Sequence, residues 1–126
     1  MVPEDSALLL LDLQNDMVSP EGKVGKAGLA KAAEERNVVA NAARVLAAFR
    51  EAGRPVFHIR LGFRPDYADS LSVAPRIARL KQNGAAQIGT WGTEFPEALR
   101  PADGEIVVTK QGVNPFFNTG LLSQLH

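Results

Sequence analysis

The chain of 126 residues contains no cysteine. That absence excludes disulfides and thiolate metal sites, and it agrees with a reducing compartment, so the protein is expected in the cytoplasm. An excess of charge is missing as well, because fourteen basic residues balance fourteen acidic ones. No global field draws such a chain to nucleic acid or to an anionic membrane, and a small-molecule substrate is the better expectation. Long apolar runs are also lacking. The apolar stretch near the N-terminus ends at Leu11, and Glu4 and Asp5 precede it where a signal peptide carries positive charge. Histidine is scarce: His58 and His126 are isolated and do not make a zinc site, so neither a metal nor another cofactor is expected. There is no internal repeat and no low-complexity tract.

What is present suffices for one domain. A chain of this length buries roughly two-thirds of the surface its unfolded form exposes, so it needs no covalent staples. Residues 7 to 16, Ala-Leu-Leu-Leu-Leu-Asp-Leu-Gln-Asn-Asp, are the anchor. The apolar part is too short for an ordinary helix and reads as a central parallel strand, buried on both faces, that delivers Asp12 to its end. This selects an α/β domain, a Rossmann-like parallel sheet flanked by helices, in which working residues gather at the carboxyl ends of the strands.

Asp12 to Pro20 reads as a loop of turn formers. The glycines and lysines of 21 to 28 suggest a phosphate loop, but Met17 and Pro20 stand where the Walker pattern requires glycine. Glu34 to Ala52 reads as one helix with Val38, Ala42, Val45, Leu46 and Phe49 on its apolar stripe, stopped by Gly53 and Pro55. Pro55 to Leu61 is the second strand, giving a right-handed crossover between parallel strands. Residues 62 to 75 read as a long loop, a candidate pocket wall, and Arg76 to Gln82 as a short helix. Gly84 to Gly92 looks irregular, and Thr93 to Leu99 adds a helical turn. Glu105 to Lys110 is the third strand, again closed by a charge. Thr119 is placed to cap a final helix through Leu121, Leu122 and Leu125.

Asp12 and Lys110 thus end different parallel strands, and a shared sheet brings them to one rim. A carboxylate beside an ammonium stays ionised and can take a proton from a third group, while the ammonium holds developing negative charge. The alternative is a pair that only satisfies itself. Gln14 and Asp16 either cap the loop or touch ligand, and Phe116 and Phe117 either line the pocket or pack in the core. Trp91 is a lid, an interface anchor or a core plug. His58 reads as a satisfied core or rim residue.

Leu-Leu-Leu-Asp-Leu-Gln-Asn-Asp at 9 to 16, Glu-Ala-Gly-Arg-Pro-Val at 51 to 56, and Ile-Val-Val-Thr-Lys at 106 to 110 followed by Phe-Phe-Asn-Thr-Gly-Leu together resemble the isochorismatase-like cysteine hydrolase family. Nicotinamidases, isochorismatases and carbamoyl amidohydrolases belong to it. The resemblance implies a parallel sheet of six strands and an Asp, Lys, Cys triad. On that template Asp12 deprotonates the cysteine, Lys110 stabilises the thiolate and the charge formed on attack, and a thioester forms and is hydrolysed. It also places Phe116 and Phe117 at a position that lines the pocket and Met17 where many relatives carry an aromatic residue, and these three with Gln14 are the expected substrate-binding residues. The metal-binding Asp-x-His pattern of nicotinamidase-like members is absent from residues 61 to 75.

Three strands of an expected six form an incomplete sheet, and a strand buried on both faces requires a neighbour on its other edge. Residues 1 to 126 are therefore read as the N-terminal part of a single hydrolase domain. The nucleophile is expected outside this chain, supplied by a missing C-terminal segment, and an open sheet edge suggests homo-oligomers. Two other functions compete: a catalytically silent subunit or binding module of the same fold, and a haloacid dehalogenase-like phosphatase. The second requires an Asp where this chain has Gln14.

Overall fold

The computed structural model describes residues 2–70 and 74–126. Three strands form one parallel sheet in the order β1-β2-β3: β1 is Leu8–Leu11, β2 is Val56–Leu61 and β3 is Ile106–Lys110. The register pairs Leu10 with His58 and Leu61 with Lys110. Among the described residues five α-helices flank it: α1 Asn15–Val18, α2 Leu29–Glu35, α3 Val38–Glu51, α4 Pro75–Gln82 and α5 Leu121–Leu125. The α/β architecture is the expected one.

Alternation along the strands explains how the layers assemble. Leu10 and Val56 face α3, where Leu46 is 1% exposed and Leu99 completes the cluster. Phe57, Ile59 and Val108 face the other way and pack with Leu121 of α5. Beyond the strand ends, Leu61, Phe63, Ile77, Leu80 and Met17 form a third cluster that joins α1 and α4 to the sheet. That third cluster forms one side of the site.

Among the described residues β2 pairs on both sides and β1 on one, so the outer side of β1 is the open edge expected of an incomplete sheet, with Leu11 40% exposed. Three expectations are corrected. The supposed single helix over 34 to 52 is two helices, because Asn37 takes a left-handed φ of 51° that breaks the ladder between α2 and α3. Val45, placed on the apolar stripe, is 44% exposed, and Val39 and Ala43 pack in the cluster around Leu46. The break at Asn37 fixes which face α3 presents. Finally, the loop from Asp12 to Pro20 contains α1, whose start is held from a distance: Asn15 N donates to Glu94 O at 2.8 Å and Asn15 Nδ2 to Trp91 O at 3.0 Å. No local spacing announces those partners.

Gly53 adopts the expected left-handed φ of 68° and ends the turn after α3. The stretch 93 to 99 holds a 3-10 turn, Glu97–Leu99, preceded by another at Trp91–Thr93. Of the loop over 62 to 75, residues 71 to 73 lie outside the described residues. Thr119 Oγ1 accepts from Leu121 N at 3.3 Å, at the start of α5.

Candidate active site

The site begins where β1 stops. Asp12 N makes the last backbone rung, to Ile59 O at 2.9 Å, and a left-handed φ of 60° then turns the chain out of the strand. Aspartate tolerates that conformation better than most residues. The ladder does not end there, because Gln14 takes over with its side chain. Its Nε2 donates to Leu61 O at 2.7 Å and its Oε1 accepts from Leu61 N at 2.8 Å, so one amide replaces a peptide unit that β1 no longer supplies. Gln14 is fully buried. It was placed among the substrate-binding residues, but both polar ends of its side chain are committed to Leu61. This same amide stands where the phosphatase reading requires a second carboxylate.

Lys110, the last residue of β3, is 3% exposed, and its ammonium turns toward the Asp12 carboxylate. Nζ lies 3.2 Å from Oδ1 and donates to Oδ2 at 3.3 Å and to Val113 O at 2.9 Å. Parallel strands thus join two residues 98 positions apart. The two ends differ in access: the Asp12 side chain is 43% exposed, whereas the lysine is enclosed. Asp12 Oδ1 is itself buried and accepts no hydrogen bond among the described residues. A carboxylate oxygen held beside a cation, with a lone pair uncommitted, is suited to receive a proton.

Both residues line a cavity of about 630 Å³. Met17, Val24, Leu61, Ile77, Leu80 and Val113 give it an apolar lining, and Arg76, Arg79 and Asn83 of the α4 region add polar groups. Such a mixture, mainly apolar with a few placed polar groups, is typical of small-molecule sites. Of the expected substrate-binding residues, Met17 lies in the lining. Phe116 and Phe117 do not, and they are 43% and 69% exposed on the segment between β3 and α5. Trp91 is 46% exposed, so it is no core plug. A second hollow of about 340 Å³ between α1, α2 and α3 contains the single carboxylate of Glu34 and none of these groups.

Asp16 is buried and serves as a clasp. Oδ2 accepts from Ala86 N at 2.8 Å and Oδ1 from Lys23 N at 3.2 Å, binding α1 to two loops that flank the site. Gly92 packs directly on this carboxylate, where any Cβ would overlap it.

A network under the opposite end of the sheet has no local signature in the chain. Glu105 accepts from Arg50 Nε at 2.7 Å and from its second guanidinium nitrogen at 2.8 Å, and from Ala102 N at 2.9 Å. His58 Nε2 stands 2.8 Å from the same carboxylate. The Arg50 hydrogen bonds, helped by Ala102 and His58, hold the Glu105 carboxyl down at about 2 against the opposing effect of burial. An ionised carboxylate only accepts, so His58 donates from Nε2. Its ring is fully buried and tilted against Phe95 at 5.4 Å. These contacts agree with the expected core position of His58, but only Nε2 is satisfied, since the buried Nδ1 has no partner among the described residues. Among the described residues no three His, Cys, Asp or Glu side chains gather as a metal site would require, and no helix is long and apolar enough to cross a membrane.

The model of the isochorismatase domain matches residues 6–126. A ureidoacrylate amidohydrolase, RutB, of Methylobacterium radiotolerans is 32% identical over 135 residues, covering 98% of this chain and 52% of the relative. An isochorismatase family protein from Desulfovibrio vulgaris superimposes with a TM-score of 0.75 at 30% identity, over 94% of this chain and 59% of that one. N-carbamoylsarcosine amidase from Thermoplasma acidophilum does so with a TM-score of 0.71 at 25% identity, over 94% and 59%. The chain spans about half the length of the curated relatives it matches, 54% and 52% for the first two. A strand-end carboxylate and a strand-end lysine that meet over one cavity, in a parallel sheet whose whole described extent follows this family's pattern, lead to one conclusion: the chain belongs to the isochorismatase family.

Proposed function

We propose that this chain is the N-terminal part of a cysteine hydrolase that cleaves an amide C–N bond of a small molecule through a thioester. The observation that carries the reading is the Asp12–Lys110 pair, 3.2 Å apart at the wall of a cavity large enough for a small substrate. Since the chain has no cysteine, the nucleophile comes from a segment outside it, and the chain alone does not turn over amides. The names of two relatives, an amidohydrolase and an amidase, support amide cleavage.

In this reading the Asp12 carboxylate takes the thiol proton, and the thiolate attacks the carbonyl carbon. Lys110, already enclosed, keeps its charge close to the thiolate and to the carbonyl oxygen as that oxygen becomes negative. The C–N bond breaks, the nitrogen leaves with the proton held by Asp12, and water attacks the thioester to release the acid and regenerate the thiol. Exclusion of solvent around Lys110 strengthens each of these charge interactions.

The test is the chain combined with the segment that carries the nucleophile, assayed for ammonia release on a panel of small amides and ureides. Asp12→Asn is expected to lower kcat by about 10²- to 10⁴-fold, the usual worth of a positioned acid or base. A complete and well-folded assembly without turnover favours the silent-subunit reading, for which the absence of cysteine is the supporting observation. Magnesium-dependent phosphatase activity that depends on Asp12 would point to the third reading instead.

A further inference from the structure

Asp12 and Lys110 meet although β1 and β3 do not pair with each other, because β2 lies between them. One peptide unit of β2 is held from both sides. Leu61 O accepts from Gln14 Nε2 at 2.7 Å, and Gly62 N donates to Lys110 O at 3.0 Å. Leu61 N completes the Gln14 side with a bond to Oε1 at 2.8 Å. Carboxylate and ammonium are thus referred to the same peptide, one through a side chain and the other through the ladder. The Asp12 side needs the help, because β1 has ended and Asp12 stands at a left-handed φ of 60°. A residue with a Cβ keeps such a conformation only where its surroundings over-determine it. Here Asp12 N is fixed on Ile59 O before the turn and the Gln14 amide on Leu61 after it, while Leu13 packs against the cluster around Leu46. Gln14 also starts α1, since its carbonyl accepts from Met17 N and Val18 N at 3.0 and 3.1 Å.

We infer that Gln14 is a positioning residue: by clasping Leu61 it holds the turn at Asp12 and so sets the Asp12 carboxylate against Lys110. The consequence for turnover rests on the hydrolase reading above. Gln14 is fully buried, lies outside the cavity lining and is committed at both ends of its amide, so it acts through Asp12 and not on substrate. Loss of the amide lets Asp12 relax toward the extended region, which swings its carboxylate away from Lys110 Nζ. A displacement of about 1 Å in a reacting group costs about 10²-fold in rate. The cavity lining is unchanged, so the loss falls on kcat and leaves KM in place.

The experiment compares Gln14→Glu with Gln14→Met. The carboxyl of Gln14→Glu copies the amide only when protonated: it then donates to Leu61 O and accepts from Leu61 N, whereas its ionised form has no donor for Leu61 O. Burial favours the neutral form, which brings the exchange into the pH range of an assay. In the completed enzyme the ratio of Gln14→Glu to wild-type kcat is expected to rise from about 10⁻² toward 1 as pH falls, with KM unchanged. Taking the ratio removes the pH dependence that the two enzymes share. Gln14→Met fills a similar volume without a donor or a titrating group, and its ratio should stay near about 10⁻² at every pH. A clasp that served folding alone would leave both ratios near 1 at temperatures well below the melting midpoints. The crystal structure of the Gln14→Met chain supplies the second arm: Asp12 should leave the left-handed region and its carboxylate should stand beyond ion-pair distance from Nζ. Ratios near 1 at all pH values, a loss confined to KM, or an unmoved Asp12–Lys110 pair overturns the inference. The structural arm needs no turnover, so the two ideas fail separately. A displaced Asp12, together with a wild-type assembly that hydrolyses nothing, counts against the hydrolase reading alone, whereas turnover that ignores both substitutions counts against the role of Gln14 alone.

Discussion

Replacing Lys110 by methionine separates a catalytic pair from a structural clamp. At 3.2 Å the Asp12–Lys110 attraction is worth about 5 kcal/mol with an effective dielectric constant near 20. Against it stands the desolvation of an ammonium that is only 3% exposed, a penalty of several kcal/mol. The two terms nearly cancel. Methionine fills a similar volume, adds apolar contact beside Leu61, and frees Val113 O, which water can reach because Val113 is 55% exposed. The expected change in unfolding free energy is therefore within about 2 kcal/mol of zero, of either sign. Urea denaturation followed by far-UV circular dichroism measures it, beside an amide hydrolysis assay of the completed enzyme, in which turnover should fall at least about a hundredfold. Stability lost by more than about 4 kcal/mol, or turnover retained, would refute the reasoning, since either result means that the lysine serves the fold.

Three further expectations concern the frame that holds the pair. The depressed Glu105 carboxyl stabilises the fold above its ordinary pKa of 4.5, and the contribution is lost as pH falls toward its folded value of about 2. Because Arg50 is 36% exposed, solvent reduces the effect, and Glu105→Gln should cost about 1 to 3 kcal/mol at pH 7 and little near pH 2; denaturation midpoints that differ equally at both pH values contradict this. Gln14→Leu leaves Leu61 N–H and C=O buried without partners and should cost about 2 to 4 kcal/mol, a loss below 1 kcal/mol showing that the amide is dispensable. Gly92→Ala drives a methyl group into the Asp16 carboxylate and should cost about 1 to 3 kcal/mol. Its signature is faster hydrogen exchange at Ala86 N–H, and unchanged exchange there would show that the clasp yields without cost.

The amino-acid sequence by itself determined the three parallel strands and the charge that closes each of the outer two, because a short apolar run ending on a carboxylate or ammonium is a local pattern. It likewise marked Gly53 as the helix stop, since only a residue without Cβ enters that backbone region freely. What it left undecided depends on partners far along the chain. Gln14 looked as ready to touch ligand as to hold the loop, and only the position of Leu61 in β2 decided that its amide continues the sheet. The helical turn at Asn15 held by residues 91 and 94, and the meeting of Arg50, His58 and Glu105, were settled by tertiary structure for the same reason. Hydrogen bonds and ion pairs of that range leave no periodicity in a chain, whereas burial and backbone conformation do.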